Sequence, residues 1–428
     1  MQLNMKQSYA FNQIMSGANL FISGPGGVGK SVLVGKIRDL CSESTIFLAP
    51  TGIAAQNIKG ATIHSTFRLR LGYLSPSQRN NLHDKVKDLF SDDSITRIVI
   101  DEISMVRADT FMAIDMALRK AKRKNKPFGG LQVIVVGDFF QLSPVLNTKS
   151  TEGEYFLKEF DSPFAFDTDA WREAGFQTIE LDEVMRQSDK IFIDALNSIR
   201  TRDDNFEASL EFLNEQGTSK DDMHDDTLFL CSTNREADTV NKHNYDDVMG
   251  EERVYVGKKK GPYKDMPVPE CLSLKVGVKV LICANALDGS YFNGQTGHVE
   301  KMFNDSIMVQ LETGEHITVK EFKWTEFEYF SGPDGVGVKP VAEYQQYPLR
   351  LGWAVTVHKS QGLSLSQAAL YTGNGFFAHG QGYVAFSRLR TLQGLYVLKE
   401  ISRKDIIVDR RVTEFYENNK FANLMNMG

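Results

Sequence analysis

The sequence predicts an α/β protein with two parallel-sheet lobes, each interrupted by a small insertion. Three observations carry this expectation. Short, nearly continuous apolar runs alternate with helically spaced segments early in the chain, as strands buried on both faces of a parallel sheet require. The same alternation returns late, in "LGWAVTVHKSQG", "AALYTGN" and "YVAFSRLR". Between the two regions the pattern changes to short strands separated by Gly, Asn and Asp turns.

In the first lobe the runs are "NLFISG" (19–24), "TIFLAP" (45–50), "RIVIDE" (97–102) and "QVIVVGD" (132–138). Helical spacing lies between them, in "SVLVGKIRDL" and "RADTFMAIDMALRKAKRK". This lobe is expected over 1–67 and 96–170, with the polar stretch 68–95 as a small insertion. The second lobe is expected over 171–254 and 341–428, beginning near Trp171, with "DTLFLCSTN" (226–234) as a strand and helix start. "KVLICAN", "HVEKMF", "SIMVQLE" and "HITVKEF" predict a small all-β insertion over 255–340.

A chain of 428 residues, 42% apolar and 24% charged, can bury large cores without staples. Cys41, Cys231, Cys271 and Cys283 show no CxxC pair and no metal-binding spacing, which predicts free thiols in a reduced compartment. The polar start and the lack of any 18-residue apolar stretch predict neither signal peptide nor membrane partner. The expected location is the cytoplasm, at the nucleoid in a bacterial or phage setting. A net charge of −6 argues against a basic coat. Local basic grooves remain open at "LRKAKRKNK" (118–126) and "GKKKGPYK" (257–264); either reads equally well as a solvated helix end or loop.

The most specific motif is "GPGGVGKS", residues 24–31, directly after a strand and before a helix. Gly24, Gly26, Gly27 and Gly29, with Pro25 and Val28 completing the loop, let main-chain N–H groups turn toward phosphates. The helix N-terminus adds a positive dipole end. Lys30 can reach the β- and γ-phosphates, and the Ser31 hydroxyl can ligate Mg²⁺. A similar stretch at 332–340, "GPDGVGVKP", has Val338 where the lysine belongs and reads as a surface loop. "RIVIDEIS" supplies the partner carboxylates: Asp101 for the Mg²⁺ shell and Glu102 to polarise an attacking water. After the strand of "VVGDFFQL", Gln141 can sense a γ-phosphate, Asp138 can orient a neighbour, and the two Phe read as packing.

ATP with Mg²⁺ is thus the expected ligand. A small-molecule kinase, a nucleotide-gated switch and a translocating motor all remain open at this point. A motor needs a second lobe that lends charge to the same nucleotide. Arg186 in "LDEVMRQSD" and Arg388 in "YVAFSRLR" stand where such arginine fingers would be offered.

With these blocks the chain resembles the Pif-type helicases of superfamily one, B class, relatives of the RecD and Dda helicases. The resemblance covers nearly the whole chain, in order. "LNMKQSYAFNQIMSGANLFISGPGGVGKS" resembles the Q motif and P-loop, "APTGIAAQNIKGATIHSTF" motif Ia and "IDEISM" motif II. "PFGGLQVIVVGDFFQLSPV" resembles motif III, and "LDEVMRQSD" the first-finger motif. "STNREADTVN" and "VKVLICANALDGSYFNGQTGHV" are similar to later family blocks, and "WAVTVHKSQGLSL" and "GQGYVAFSRLR" to motifs V and VI. One departure is Ser143-Pro144, where the family commonly has Pro-Pro.

The resemblance implies two RecA-like lobes, a wedge insertion in the first and a small β-barrel insertion in the second. It implies an ATP-dependent DNA helicase that travels 5′-to-3′ on single-stranded DNA and acts on forked duplex DNA; a monomer is the expected state, though the sequence does not set it. Gln7 would read adenine. Thr356, His358, Lys359 and Ser360 would donate to strand phosphates, while Gln361 and Gly362 turn the chain toward the nucleotide. Pro50, Thr51, His64 and Phe67 would be the strand contacts of the first lobe, an aromatic there stacking on a base. An RNA-preferring motor, or a gated binding protein that holds a strand without moving, remains the alternative.

Overall fold

The apolar runs of the first part form one parallel sheet in this computed structural model. Strands β1 (Leu20–Ser23), β2 (Thr45–Ala49), β3 (Ala61–Thr62), β4 (Arg97–Ile100), β5 (Gln132–Val136) and β6 (Gln177–Glu180) stand in the order β3-β2-β4-β5-β1-β6. Each neighbouring pair is parallel. Around the strands run α1 (Met5–Met15), α2 (Lys30–Cys41), α3 (Gly52–Asn57), α4 (Ile63–Phe67), α5 (Pro76–Arg79), α6 (Asp84–Ser91), α7 (Ala108–Lys122), α8 (Thr151–Glu159) and α9 (Asp169–Ala174). Ile22, Val99, Ile134 and Val136 of the sheet share one core with Leu33, Val34 and Ile37 of α2. Each such side chain, once buried, contributes about 1.5–3 kcal/mol, so the sheet holds the segment between β1 and α2 on a rigid base.

The structure describes residues 3–187, 189–215, 223, 227–263, 266–286, 288–332, 335–373 and 375–419. They divide into two units, Met1–Met185 with Glu326–Val341 and Asp409–Gly428, and Arg186–Thr325 with Ala342–Val408. The boundary expected at 170 is therefore displaced. β6 hydrogen-bonds to β1, and the Trp171 ring of α9 lies 5.4 Å from Phe21 and 5.7 Å from Phe139. Both contacts draw residues 171–185 into the first unit.

The insertion at 68–95 carries α5 and α6, with Val86, Leu89 and Phe90 buried. It is tied down by an ion pair. The Arg79 side chain, 3% exposed, pairs with Glu159 of α8, and the Tyr73 hydroxyl donates to the same carboxylate at 2.6 Å. Burial raises the Glu159 pKa, but the bonds from Arg79 and Tyr73 outweigh it and hold the group below its usual value. Arg79→Ala should cost about 1–3 kcal/mol at neutral pH, because the carboxylate and the Leu74 carbonyl lose a donor. A carboxylate with a depressed folded pKa stabilises above its unfolded pKa, and that contribution is lost as pH falls through the folded one. Denaturant melts should therefore show the gap between Arg79→Ala and parent narrowing below the carboxylate range.

In the second unit, α10 (Lys190–Thr201), α11 (Phe206–Glu215), β7 (Leu228–Cys231) and α12 (Asn234–Asp247) lead into the β-rich region. Its strands are β8 (Arg253–Val256), β9 (Lys258–Lys260), β10 (Cys271–Leu274), β11 (Lys279–Ile282), β12 (Thr296–Met302), β13 (Ile307–Leu311), β14 (His316–Val319), β15 (Phe322–Gly332), β16 (Gly335–Gln346) and β17 (Leu349–Leu351). The chain then returns to parallel strands in β18 (Ala354–Thr356), β19 (Ala368–Tyr371) and, after α13 (Gln381–Phe386), β20 (Leu395–Val397). These form a parallel sheet of order β18-β7-β19-β20. The all-β insertion centres on an antiparallel sheet, β14-β13-β12-β11-β17, over a core of Val280, Val299, Val309, Leu349 and their neighbours. Its last strand, β17, lies beyond the expected limit at 340.

Two further boundaries are corrected. The stretch 332–340, expected as a surface loop, belongs to the β15–β16 hairpin, with residues 333 and 334 outside the described set. Residues 326–341 of that hairpin group with the first unit. There the Tyr329 hydroxyl accepts from the Phe47 N–H at 3.1 Å and donates to the Phe47 carbonyl at 3.3 Å, on a stretch of β2 that β3 does not cover. The segment from Asp409 also belongs to the first unit, through α14 (Arg410–Asn418). Its Phe415 ring stacks on Phe166 at 4.3 Å. Carboxylates answer part of both basic stretches. Lys258, Lys259 and Lys260 pair with Glu321, Glu270 and Glu343, and Arg119 with Asp115 and Glu173.

Candidate functional site

The first unit holds the loop at 24–31 between the end of β1 and the start of α2. Gly24 (φ +141°) lies where a Cβ would meet the Leu181 carbonyl oxygen at 2.2 Å. Gly29 (φ +78°) would set a Cβ 2.5 Å from Gln7 Nε2. Neither position tolerates a side chain, so the loop keeps the bare main chain that phosphate oxygens require. Val28 is anchored in the core below. The Lys30 ammonium folds over the loop, donating to the Gly24 carbonyl at 2.7 Å and the Pro25 carbonyl at 2.8 Å. Ser31 is exposed at the first turn of α2.

Gln7, expected to read adenine, has its amide committed elsewhere. It is fully buried, donates from Nε2 to the carbonyls of Val28 (3.4 Å) and Gly29 (3.3 Å), and accepts the Asn4 N–H at 3.0 Å. It braces the loop from beneath while capping α1. The Gln at the third helical position was readable as a cap from "NMKQ"; the loop contact was not.

Asp101 and Glu102 follow β4. Burial, then the neighbouring Glu102 carboxylate, push the Asp101 pKa up to about 7, against the opposing pull of the Glu102 N–H and the Lys30 charge. A buried carboxylate in that state is short of positive charge. With the exposed Ser31 hydroxyl, it has the oxygen chemistry that suits Mg²⁺. Glu102 sits in the left-handed region (φ 50°, ψ 47°), a conformation costing a non-glycine residue roughly 1–2 kcal/mol. Strain of this kind collects where a side chain must be aimed. Gln141 donates from Nε2 to Asp138 Oδ2 at 3.2 Å, both side chains buried. Phe139 and Phe140 pack, as expected, in the aromatic cluster of the first unit.

Of the four strand contacts expected on the first unit, two come together. Pro50 and His64 line a cavity of about 200 Å³ with Leu71, Met105, Arg107 and Val145. Thr51 instead caps α3, its hydroxyl accepting the Ala54 N–H at 3.2 Å. Phe67 is corrected: it is buried and stacks on Phe90 at 5.3 Å, so it supports the insertion and offers no face to a base. Leu71 (68% exposed) and Val145 (77%) are the apolar surfaces left at this cavity, and nothing in their local spacing singled them out.

The second unit carries the turn at 356–362. Two of its hydroxyls are also corrected. Ser360 is fully buried and donates to the Val357 carbonyl at 2.8 Å, and Thr356, also buried, accepts the Lys359 N–H at 3.3 Å. They close the turn on itself, and Gly362 (φ +85°) lets the chain leave it with Gln361 just before. His358, half-buried, has its pKa lowered by that burial. Lys359 is exposed over much of its surface; partial burial that desolvates its ammonium, then the charge of Arg350, lower its pKa, while Asp238 opposes. Of the four side chains of this turn expected to contact a strand, these two are the ones not buried in it.

Arg186 and Arg388 meet at one residue. Arg186 donates to the Ser387 carbonyl at 3.1 Å, and Arg388 donates to the Ser387 hydroxyl at 2.8 Å. Arg388, only 2% exposed, also bonds the carbonyls of Val384 (3.0 Å) and Leu363 (3.4 Å). Gln187, which sequence reading passed over, fixes the same corner through the Leu389 carbonyl at 2.7 Å. Both arginines are thus hydrogen-bonded to the end of α13, and Arg388 also to Leu363, the residue that follows the turn carrying His358 and Lys359.

A family model of PIF1-like helicases matches residues 2–213. The Xenopus laevis ATP-dependent DNA helicase PIF1 is 33% identical over 429 residues, covering 97% of this chain and 64% of that protein. The chain therefore spans just under two thirds of that relative's length. The Bdellovibrio bacteriovorus ATP-dependent DNA helicase Pif1 is 32% identical over 426 residues, covering 97% of this chain and 92% of that protein. A crystal structure of Bacteroides sp Pif1 in complex with ADP-AlF4 matches with a TM-score of 0.87 and 31% identity, covering 97% of each chain. Sequence and fold agree along almost all of the chain, and the chain belongs to the PIF1-like helicase family.

Proposed function

We propose that this protein is an ATP-driven DNA helicase that moves along single-stranded DNA, 5′-to-3′, and opens forked duplex. The observation that carries the reading is a glycine-rich loop, closed to side chains at Gly24 and Gly29, with Lys30 folded over it, on the same sheet that presents a protonation-prone Asp101 and a strained Glu102. Lys30 leaves its two carbonyl partners to meet the β- and γ-phosphates. Ser31 and Asp101 would hold Mg²⁺, which supplies charge to the phosphate oxygens. Glu102 takes the proton of the attacking water. Gln141 registers the γ-phosphate through its bond to Asp138.

Arg186 and Arg388 act as fingers on ATP held by the first unit, a contribution worth about 10³–10⁵ in rate. Because Arg388 also bonds the Leu363 carbonyl, any movement of its guanidinium is felt in the turn carrying His358 and Lys359. That bond is a physical route from nucleotide to strand. On the first unit we assign the strand to Pro50 and His64, with Leu71 and Val145 as the apolar surface under a base. The residues assigned to hydrolysis and grip lie on one chain, so a single copy is proposed as the working unit.

Strand binding through phosphate donors and stacking is expected to be salt-dependent and nearly indifferent to sequence. Each neutralised phosphate should contribute a slope of about −0.7 in log K against log salt. Fluorescence anisotropy with DNA oligonucleotides of unrelated sequence, and RNA of equal length, measures this. A steep preference for one short sequence, or tighter binding of RNA, counts against a general DNA motor.

A further inference from the structure

We propose that Tyr416 of α14 is a positioning residue for the nucleotide site, setting Asp138, and through it Gln141, against the strand that enters the phosphate-binding loop. The inference rests on the reading of that loop and Gln141 as nucleotide machinery. Val412 and Tyr416, one turn apart, are the buried side of α14. The Tyr416 ring packs on Phe140 at 4.6 Å. That packing delivers the hydroxyl to three groups: Ser23 Oγ at 2.6 Å, the Phe139 N–H at 3.2 Å and Asp138 Oδ1 at 3.5 Å.

A phenol has one proton to give and oxygen lone pairs to accept with. One assignment uses all three contacts together: Ser23 and the Phe139 N–H donate to Tyr416, and Tyr416 donates to Asp138. Ser23 is the last residue of β1, immediately before Gly24. Asp138 is 1% exposed and receives Gln141 Nε2 on its other oxygen at 3.2 Å. A continuous line of hydrogen bonds therefore runs Ser23–Tyr416–Asp138–Gln141, from the root of the phosphate loop to the side chain assigned to the γ-phosphate. Packing alone would need no hydroxyl, since Phe fills the same space. A buried carboxylate that gains a donor is held in one rotamer, and the amide bonded to it inherits that orientation.

Tyr416→Phe in the full chain is the test, because it keeps the ring. With single-stranded DNA saturating, kcat is expected to fall about tenfold, as for loss of one hydrogen bond to a charged group, with the KM for ATP within about twofold. In a Gln141→Ala background the same substitution should cost nothing further. A purely structural role would instead lower the melting temperature and add equally in both backgrounds. As a readout without turnover, melting shifts with ADP and with a non-hydrolysable ATP analogue should differ in the parent and converge in Tyr416→Phe. An unchanged kcat, full additivity with Gln141→Ala, or an intact ADP-to-analogue difference overturns the role. If the parent itself shows no turnover, the proposed function falls, and the melting difference still decides on Tyr416.

Discussion

Lys30→Ala and Glu102→Gln should both abolish ATP-driven unwinding, by different routes. The Lys30 ammonium already sits over the loop on the Gly24 and Pro25 carbonyls, so the phosphates only need to displace short bonds it can remake. Removing it takes away the positive charge over the loop, and ATP affinity should fall along with turnover. Glu102→Gln keeps size, and its left-handed main chain is set by the turn after β4. ATP binding should therefore survive while hydrolysis drops by a factor of about 10²–10⁴, the usual worth of a positioned general base. Isothermal titration with ATP, beside steady-state turnover, separates the two. A Glu102→Gln protein that hydrolyses at the parent rate removes Glu102 from the chemistry.

Arg186→Ala and Arg388→Ala should each cut DNA-stimulated turnover by about 10³-fold or more, with a smaller loss in strand affinity measured without nucleotide. Charge grows on the γ-phosphate as it transfers, and Lys30 approaches from the first unit only. In the proposed function a guanidinium fork from Arg186 and Arg388 would complete the neutralisation, and Lys should rescue poorly because a point charge cannot copy it. The two variants are not equivalent. Arg388 is buried and serves carbonyls of Val384 and Leu363, so its loss also strips partners from buried main chain. Arg388→Ala should therefore lower the melting temperature, whereas Arg186→Ala, half-buried with one main-chain bond, should leave it nearly unchanged. Arg186 is thus the cleaner probe. Turnover of Arg186→Ala within a few-fold of the parent would remove it as a finger.

The sequence disclosed what is written locally. Loop glycines, a lysine and two carboxylates after apolar runs mark the candidate nucleotide site, because the chemistry proposed there depends on a spacing of a few residues on one strand–helix junction. Long-range pairing was not legible. β6 is four residues long, and nothing in "QTIE" tells which sheet it joins until Leu20–Ser23 is seen beside it. α14 reads as any amphipathic helix, and its Tyr416 finds Ser23 and Asp138 only through the fold. Solvent-facing and buried roles also look alike in sequence. Phe67 was equally able to stack on a base or on Phe90, and the partner 23 positions away decided it. The hydroxyls of Thr356 and Ser360 suited phosphates but close their own turn instead. Gln7 had the right chemistry for adenine and spends it on the loop carbonyls.

Strand release from short forked DNA duplexes bearing a single-stranded tail of one polarity or the other, followed with ATP and with a non-hydrolysable analogue, tests the central claim most directly. The expected result is release that requires hydrolysable ATP, favours the fork with a 5′ tail and disappears in Glu102→Gln. Strong DNA-dependent binding with no ATP-driven release from either fork would contradict a motor and leave a nucleotide-gated strand binder in its place.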